Sequence, residues 1–283
     1  MSSDRAGGRP QAPRIVIRRW SERGWEEQPD QLAAEEPLQL LFNGAPLSIV
    51  MRTPGRDVEL ALGLLWAERV ITDREQVHQV RISAEAGETE ALLPLDADLF
   101  ESNQVDVVAR PGKRVVQRSF LSSSACGVCG ATTIESLVLD FEPLAPGPML
   151  DPEVLGQLPD RLRAEQRLFD KTGGLHAAGL FSADGSLETL REDVGRHNAV
   201  DKVVGRALID GRLPLRQQIL VVSGRGGYEI VQKAVAAGIP IVAAVGAPSS
   251  LAVATARRFG QTLVGFLRDG RFNVYSSPER LSE

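Results

Sequence analysis

Residues 218–259 read QILVVSGRGGYEIVQKAVAAGIPIVAAVGAPSSLAVATARRF. An apolar run, Gln218–Val222, enters Ser223-Gly224-Arg225-Gly226-Gly227 and then a helical stretch, Tyr228–Ala237. The pattern repeats at once as Pro240–Val245, the loop Gly246-Ala247-Pro248-Ser249-Ser250 and a helical stretch over Ser249–Phe259. Short strands alternating with helices imply parallel pairing and a layered α/β domain. Each loop lies between a strand and a helix N-terminus, where free N–H groups and the positive dipole end face outward. Ligands of open α/β sheets gather beyond the carboxyl ends of the strands. Neither loop is a Walker A or dinucleotide fingerprint. Two in succession, one with Arg225, point to a phosphate-bearing ligand, although Ser249 has a plainer role as a helix N-cap.

Working outward, Leu263–Leu267 and Phe272–Tyr275 read as strands around a turn at Asp269-Gly270. That turn places Arg268 and Arg271 at a hairpin tip. Such a pair can grip phosphates, with Phe266 or Phe272 stacking on a base or pterin; the same pattern also fits an ordinary polar hairpin. Upstream, His176–Ser182 and Ser186–Leu190 form a hairpin pattern, and Val194–Leu208, Thr132–Phe141 and Pro152–Phe169 read as helices. The first part of the chain has another texture. A strand is expected at Ile15–Arg18, and Pro37–Phe42 and Leu47–Arg52 flank Asn43-Gly44, a strong hairpin signal. Val58, Leu62 and Leu65 recur at helical spacing within Arg56–Val70, and Gln79–Ser83, Gln104–Ala109 and Arg114–Arg118 are short strand patterns. The reading is a disordered tail at 1–13, a smaller N-terminal α+β domain at 14–118 and an α/β domain at 119–283.

Both cysteines stand together, in Ser123-Ser124-Ala125-Cys126-Gly127-Val128-Cys129-Gly130. A Cys-x-x-Cys pair lowers the pKa of one thiol, and the thiolate is the reactive form. Flanking glycines let the backbone bend and a large substrate approach. Two other readings stay open: a redox pair opening a helix, and a zinc knuckle completed by His176 and His197. Neither histidine lies in a second short ligand cluster, which weakens the zinc reading.

Thr172-Gly173-Gly174-Leu175-His176-Ala177-Ala178 is similar to the His-Ala-Glu segment of cytidine deaminases. Here Ala178 replaces the proton-shuttling Glu and the Cys pair precedes the His. Deaminase activity is excluded and a fold hint remains. His176 also fits a satisfied histidine at a strand start. In Arg191–Lys202, Asp193 is placed to cap the following helix. His197 and Asp201 lie at i, i+4, where the carboxylate can orient the imidazole. A structural network is the competing account of that cluster.

Bulk properties narrow the class. The chain has 283 residues, 43% hydrophobic and 24% charged, with net charge −5. That balance belongs to soluble globular proteins and argues against general nucleic-acid binding. No stretch approaches the ~18 apolar residues of a membrane span. The N-terminus has no apolar signal core, and a single close Cys pair fits the reducing cytoplasm.

Taken together, these segments are ordered as in the formate dehydrogenase accessory sulfurtransferase family (FdhD), which the chain resembles from about Glu35 to Ser276. The matching motifs include Asn43-Gly44, Met51-Arg52-Thr53-Pro54-Gly55, Cys126-Gly127-Val128-Cys129-Gly130, Thr172–Ala178, Arg191–Lys202, Val231-Gln232-Lys233-Ala234, Ala247-Pro248-Ser249-Ser250 and Arg271–Tyr275. The resemblance implies a sulfurtransferase that takes persulfide sulfur from a cysteine desulfurase and passes it to the molybdenum bis(molybdopterin guanine dinucleotide) cofactor of formate dehydrogenase. It implies Cys126 as persulfide carrier, with Cys129 beside it, and a cofactor-binding stretch at Phe266, Leu267, Arg268, Asp269, Gly270 and Arg271. It also implies a cytidine-deaminase-like domain, a homodimer and no resident metal. Ser223, Gly224, Arg225, His176 and His197 are the further candidates for cofactor contact. Gly226-Gly227 stands where many relatives carry a small hydroxyl residue, which removes a side-chain contact there and leaves the backbone contacts. A non-catalytic cofactor-insertion chaperone is the alternative, and a zinc hydrolase of deaminase descent the third.

Overall fold

A computed structural model of the chain describes residues 10–84, 87–91, 103–112, 120–121 and 141–282. The Cys126–Cys129 loop, the strand expected at Arg114–Arg118 and most of the helix expected at Thr132–Phe141 lie outside the described residues. β1 (Arg14–Ser21) and β2 (Gly24–Gln31) form an antiparallel hairpin. β2 escapes sequence reasoning because GWEEQPDQ has no apolar alternation. The hairpin is tied down at its base: Leu32 N–H donates to Pro13 O, Ala34 N–H to Gln11 O, and the Gln11 side chain to Pro54 O.

β3 (Glu36–Phe42) and β4 (Ala45–Arg52) meet across Asn43 and Gly44, whose φ values of 53° and 77° are those of a primed hairpin turn. α1 (Asp57–Ala67) follows. β5 (Val77–Ala84), β6 (Gly87–Ala91), β7 (Gln104–Ala109) and β8 (Phe120–Leu121) complete a six-stranded sheet in the order β6-β5-β7-β3-β4-β8. β8 pairs with β4 in parallel, Leu121 level with Ile49. Its end therefore points the same way as the end of β4, toward Arg52 and Thr53.

The remaining elements are α2 (Pro152–Ala164), α3 (Arg167–Thr172), β9 (His176–Phe181), β10 (Leu187–Asp193), α4 (Arg196–Ile209), β11 (Ile219–Val222), α5 (Tyr228–Ala236), β12 (Ile241–Ala244), α6 (Ser250–Phe259), β13 (Thr262–Arg268) and β14 (Arg271–Ser276). The single helix expected over Pro152–Phe169 is two, broken at Glu165–Gln166. The second sheet runs β10-β9-β11-β12-β13-β14. Only β11, β12 and β13 are parallel; β9, β10 and β14 join antiparallel. The fold is mixed α/β.

The central strands are apolar at every position because both faces are covered. Ile219, Val221, Ile241 and Ala243 pack with Leu155, Leu158 and Leu162 of α2. Leu220, Val222, Val242 and Ala244 turn the other way, into a core shared with α4, α5 and α6. That core continues through α1 into β3, β4, β5 and β7.

α1 and α4 cross with their backbones in contact. A Cβ on Gly63 would stand 1.9 Å from the Asp201 carbonyl oxygen, and one on Gly205 would stand 1.8 Å from that of Glu59. No residue but glycine fits either position. Trp66 adds a tie, donating from Nε1 to Ala236 O at 2.8 Å.

Candidate functional site

The register of the second sheet gathers the candidate residues at one edge. β11, β12 and β13 all end there, in Ser223–Gly227, Gly246–Ser249 and the Phe266–Arg271 turn. β9 is antiparallel to β11, so it starts at that edge, with His176. Asp193, the last residue of β10, pairs with His176. Backbone bonds lock the loops side by side: Gly246 N–H donates to Gly224 O at 3.0 Å and Phe266 N–H to Gly246 O at 3.2 Å. Ser223 is held by Ala177 twice, its Oγ accepting at 2.8 Å and its N–H donating to Ala177 O at 3.0 Å.

His176 is positioned from both sides. α3 stops at Gly173, in the left-handed region at φ 66°, a helix end that favours glycine. Glu192 accepts from Leu168 and Phe169 N–H groups (3.0 and 2.8 Å), fixing the start of α3 against β10. Gly224 lies against the imidazole: a Cβ there would sit 3.3 Å from His176 Nδ1 and 3.7 Å from Arg196 Cδ. Burial, then the positive charge of Arg196, holds the His176 pKa below 6.5.

His197 and Asp201 share a face of α4 but are not partners. His197 Nδ1 lies 3.6 Å from Glu229 Oε2, on α5. Burial and the neighbouring Arg196 and Lys233 push the His197 pKa down to about 3, so its imidazole is neutral at pH 7. Asp201 binds Lys233 instead, at 2.6 and 2.8 Å. Burial still dominates its pKa, raising it to about 6. Lys233 keeps its charge because Asp201, Glu68 and Glu229 outweigh the effect of burial.

Asp193 is not the helix cap; Gly195 occupies that position. The Asp193 carboxylate is wholly buried and turned toward β4. It accepts from Gly195 N–H, Asn198 Nδ2 and Thr53 N–H, and pairs with Lys202 at 2.7 Å. Lys202 also donates to Thr53 O, and Asn198 to Met51 O. Arg52 clasps Asp57 through Nε and Nη2 at 2.9 and 2.8 Å. The end of β4 is thus welded to the sheet edge by buried, paired charge.

Beyond the loops, Phe266, Arg268, Gly270, Arg271, Phe272 and Asn273 line an open cleft of ≈ 710 Å³, within the range of small-molecule sites. The hairpin tip is built as expected, with Asp269 and Gly270 at φ 53° and 68° and Arg268 opposite Arg271. Phe266 also has positive φ (54°) and is 39% exposed. Leu267 differs: its side chain is fully buried on the α2 side and does not line the cleft.

Arg196, Glu229, Lys202 and Lys233 were not singled out by motif reasoning. Lys233 did carry a signal, a lone cation among Ile230, Val231 and Ala234 on the apolar face of α5. Among the described residues no group of three or more His, Cys, Asp or Glu could hold a metal ion. No described helix is long and apolar enough to cross a membrane.

These features define a mixed α/β protein with an anion-friendly sheet edge. Residues 33–282 match the model of the FdhD/NarQ family, and the chain belongs to that family. It is 48% identical over 262 residues to a sulfur carrier protein FdhD of Streptomyces coelicolor, covering 90% of each chain. It is 50% identical over 258 residues to one of Corynebacterium efficiens, covering 88% of this chain and 90% of the relative. Its fold is similar to a crystal structure of a putative formate dehydrogenase accessory protein from Desulfotalea psychrophila. The TM-score is 0.74 at 27% identity, over 96% of this chain and all of that one.

Proposed function

We propose that this protein is a cytoplasmic sulfurtransferase of formate dehydrogenase maturation. It carries sulfur as a persulfide on Cys126 and delivers it to a molybdenum cofactor built on two guanine dinucleotides. The observation that carries the reading is the meeting, along one sheet edge, of the Phe266–Arg271 cleft, the Ser223–Arg225 loop and His176. An aromatic ring, paired arginines and helix N-termini are the groups a guanine-bearing polyanion requires. Relatives named sulfur carrier proteins support the sulfur chemistry. So does the chain path: β8 ends beside β4 at Leu121, a few residues before Cys126 in the sequence. In the loading step the Cys126 thiolate attacks the outer sulfur of a desulfurase persulfide. A new S–S bond forms as the donor's breaks, and the donor cysteine leaves as thiolate, so the step is redox-neutral. The reading includes a deaminase-like layering of the second sheet with its helices, and a homodimer.

The test is incubation with a cysteine desulfurase and cysteine, followed by mass spectrometry of the Cys126 peptide. The expected result is a gain of one sulfur atom, with Cys126→Ala failing to activate the dehydrogenase. An unmodified peptide, or full activation by Cys126→Ala, replaces the sulfurtransferase with a cofactor-insertion chaperone.

A further inference from the structure

Among the described residues, neither the Arg196 nor the Arg225 side chain forms an ion pair or a hydrogen bond, and Arg196 Nε is buried with no partner. The carboxylates nearby are committed elsewhere. Asp193 is held by Lys202, Asp201 by Lys233, and Glu229 faces His197. Burial raises the Glu229 pKa, the attraction of Lys233 and Arg196 offsets that only in part, and Arg196 and Glu229 form no ion pair. Burial, ahead of the charges of the same guanidiniums, lowers the pKa of both histidines, so neither imidazole adds charge to the corner at pH 7. The corner is therefore net positive. It is open at Gly227, where a Cβ would have nothing within 4 Å, while Gly224 packs so closely on the imidazole that a Cβ there would sit 3.3 Å from His176 Nδ1. Behind Gly227, α5 starts with its free N–H groups. Like charges crowded together raise the energy of the folded state, and an anion bound among them reverses that cost.

We propose that His176, Arg196, Arg225 and the Gly224–Gly227 backbone form a second oxyanion subsite, separate from the Arg268–Arg271 cleft, that takes a phosphoryl group. Two strand spacings, about 10 Å, separate β11 from β13, so a nucleoside diphosphate seated in the cleft reaches the corner with its phosphates. Which molecule delivers the phosphoryl group rests on the function proposed above; the subsite itself does not.

The probe is inorganic pyrophosphate, titrated at low salt into the full-length protein with the His176 imidazole followed by NMR. The bound anion cancels the field of the guanidiniums, so the His176 midpoint is expected to rise toward 6.5. Arg196→Gln and Arg225→Gln are each expected to weaken pyrophosphate by about tenfold or more. The two residues lie on different elements, so one readable variant suffices should the other misfold. GDP is expected to lose affinity by the same factor in Arg196→Gln, and guanosine to lose none. An unmoved His176 midpoint, or unchanged pyrophosphate affinity in both variants, overturns the subsite. If GDP binds the cleft with no dependence on Arg196, the subsite falls and the cofactor reading stands. If pyrophosphate needs Arg196 while no guanine nucleotide binds, the subsite stands and the cofactor reading falls.

Discussion

Helix α4 presents two charged faces built on opposite rules. Toward β4 and α1 every charge is matched: Lys202 with Asp193 and the Thr53 carbonyl, Lys233 with Asp201, and, from neighbouring elements, Arg52 with Asp57 and Arg191 with Glu59. All of these groups but the half-buried Arg191 are buried, and all are paired at hydrogen-bond distance. Toward β9 and β11, Arg196 and Arg225 stand unpaired beside neutral histidines, with open space at Gly227. Buried charge that is neutralised internally reports on architecture, because removing either member strands the other in a low-dielectric interior. Charge of one sign left unmatched at a sheet edge reports on something that arrives from outside. Both faces draw on a single motif, Arg191–Lys202, which motif matching alone treats as one site.

The contrast is broken most forcefully by Lys202→Met. Asp193 would keep Asn198, Gly195 and Thr53 as donors but lose its counter-ion while wholly buried. A loss of about 3–5 kcal/mol is expected by chemical denaturation. A loss below about 1 kcal/mol would mean that the matched face is not what joins β4 to α4. Gly205→Ala tests the same joint by shape. Its methyl would meet the Glu59 carbonyl oxygen at 1.8 Å, far inside contact distance, and neither helix backbone can yield locally. The expected loss is about 3 kcal/mol, the upper end of overpacking costs. Gly227→Ala is the control, since nothing lies within 4 Å of the added carbon; little change in stability is expected there.

How much of this was legible in the sequence follows the range of the forces involved. The Asn43-Gly44 turn, the alternation of β11, α5, β12 and α6, the Ser249 cap and the Asp269-Gly270 tip are local matters of dihedral preference and periodicity, and the structure shows each of them. β2 was invisible because a solvated hairpin needs no apolar face. The antiparallel pairing of β9 with β11 was hidden because strand direction depends on chain connections, not on strand composition. The misassigned partners failed for one shared reason. A cap for Asp193 and an i, i+4 partner for His197 are the nearest local options, yet Asp193 also reaches Thr53 and His197 faces Glu229, 140 and 32 residues away in the chain. Burial makes those distant contacts win, since an unmatched carboxylate costs more inside the core than a helix cap returns.

A smaller effect than either destabilising substitution belongs to the unmatched face, and acid reveals it. In the unfolded chain His197 titrates near 6.5, while in the folded protein it takes up its proton only at about 3. Below pH 6.5 the unfolded state therefore binds more protons, and stability falls as the pH drops through the interval between those values. From pH 6.5 to 5 the His197 contribution is about 2 kcal/mol. Glu229 and Asp201 act in the opposite direction, because burial raises their pKa values and the folded state gains protons first. The informative quantity is therefore a difference. The stability of the wild type minus that of His197→Gln should shrink by about 2 kcal/mol over that range, measured by urea denaturation at each pH. A saturating phosphoryl ligand should blunt the change, because an anion between Arg196 and Arg225 makes the protonated imidazole easier to accept. A difference that stays flat with pH would show that His197 takes up its proton at the same pH folded as unfolded, and the corner would then be a solvated helix end with no claim on an anion.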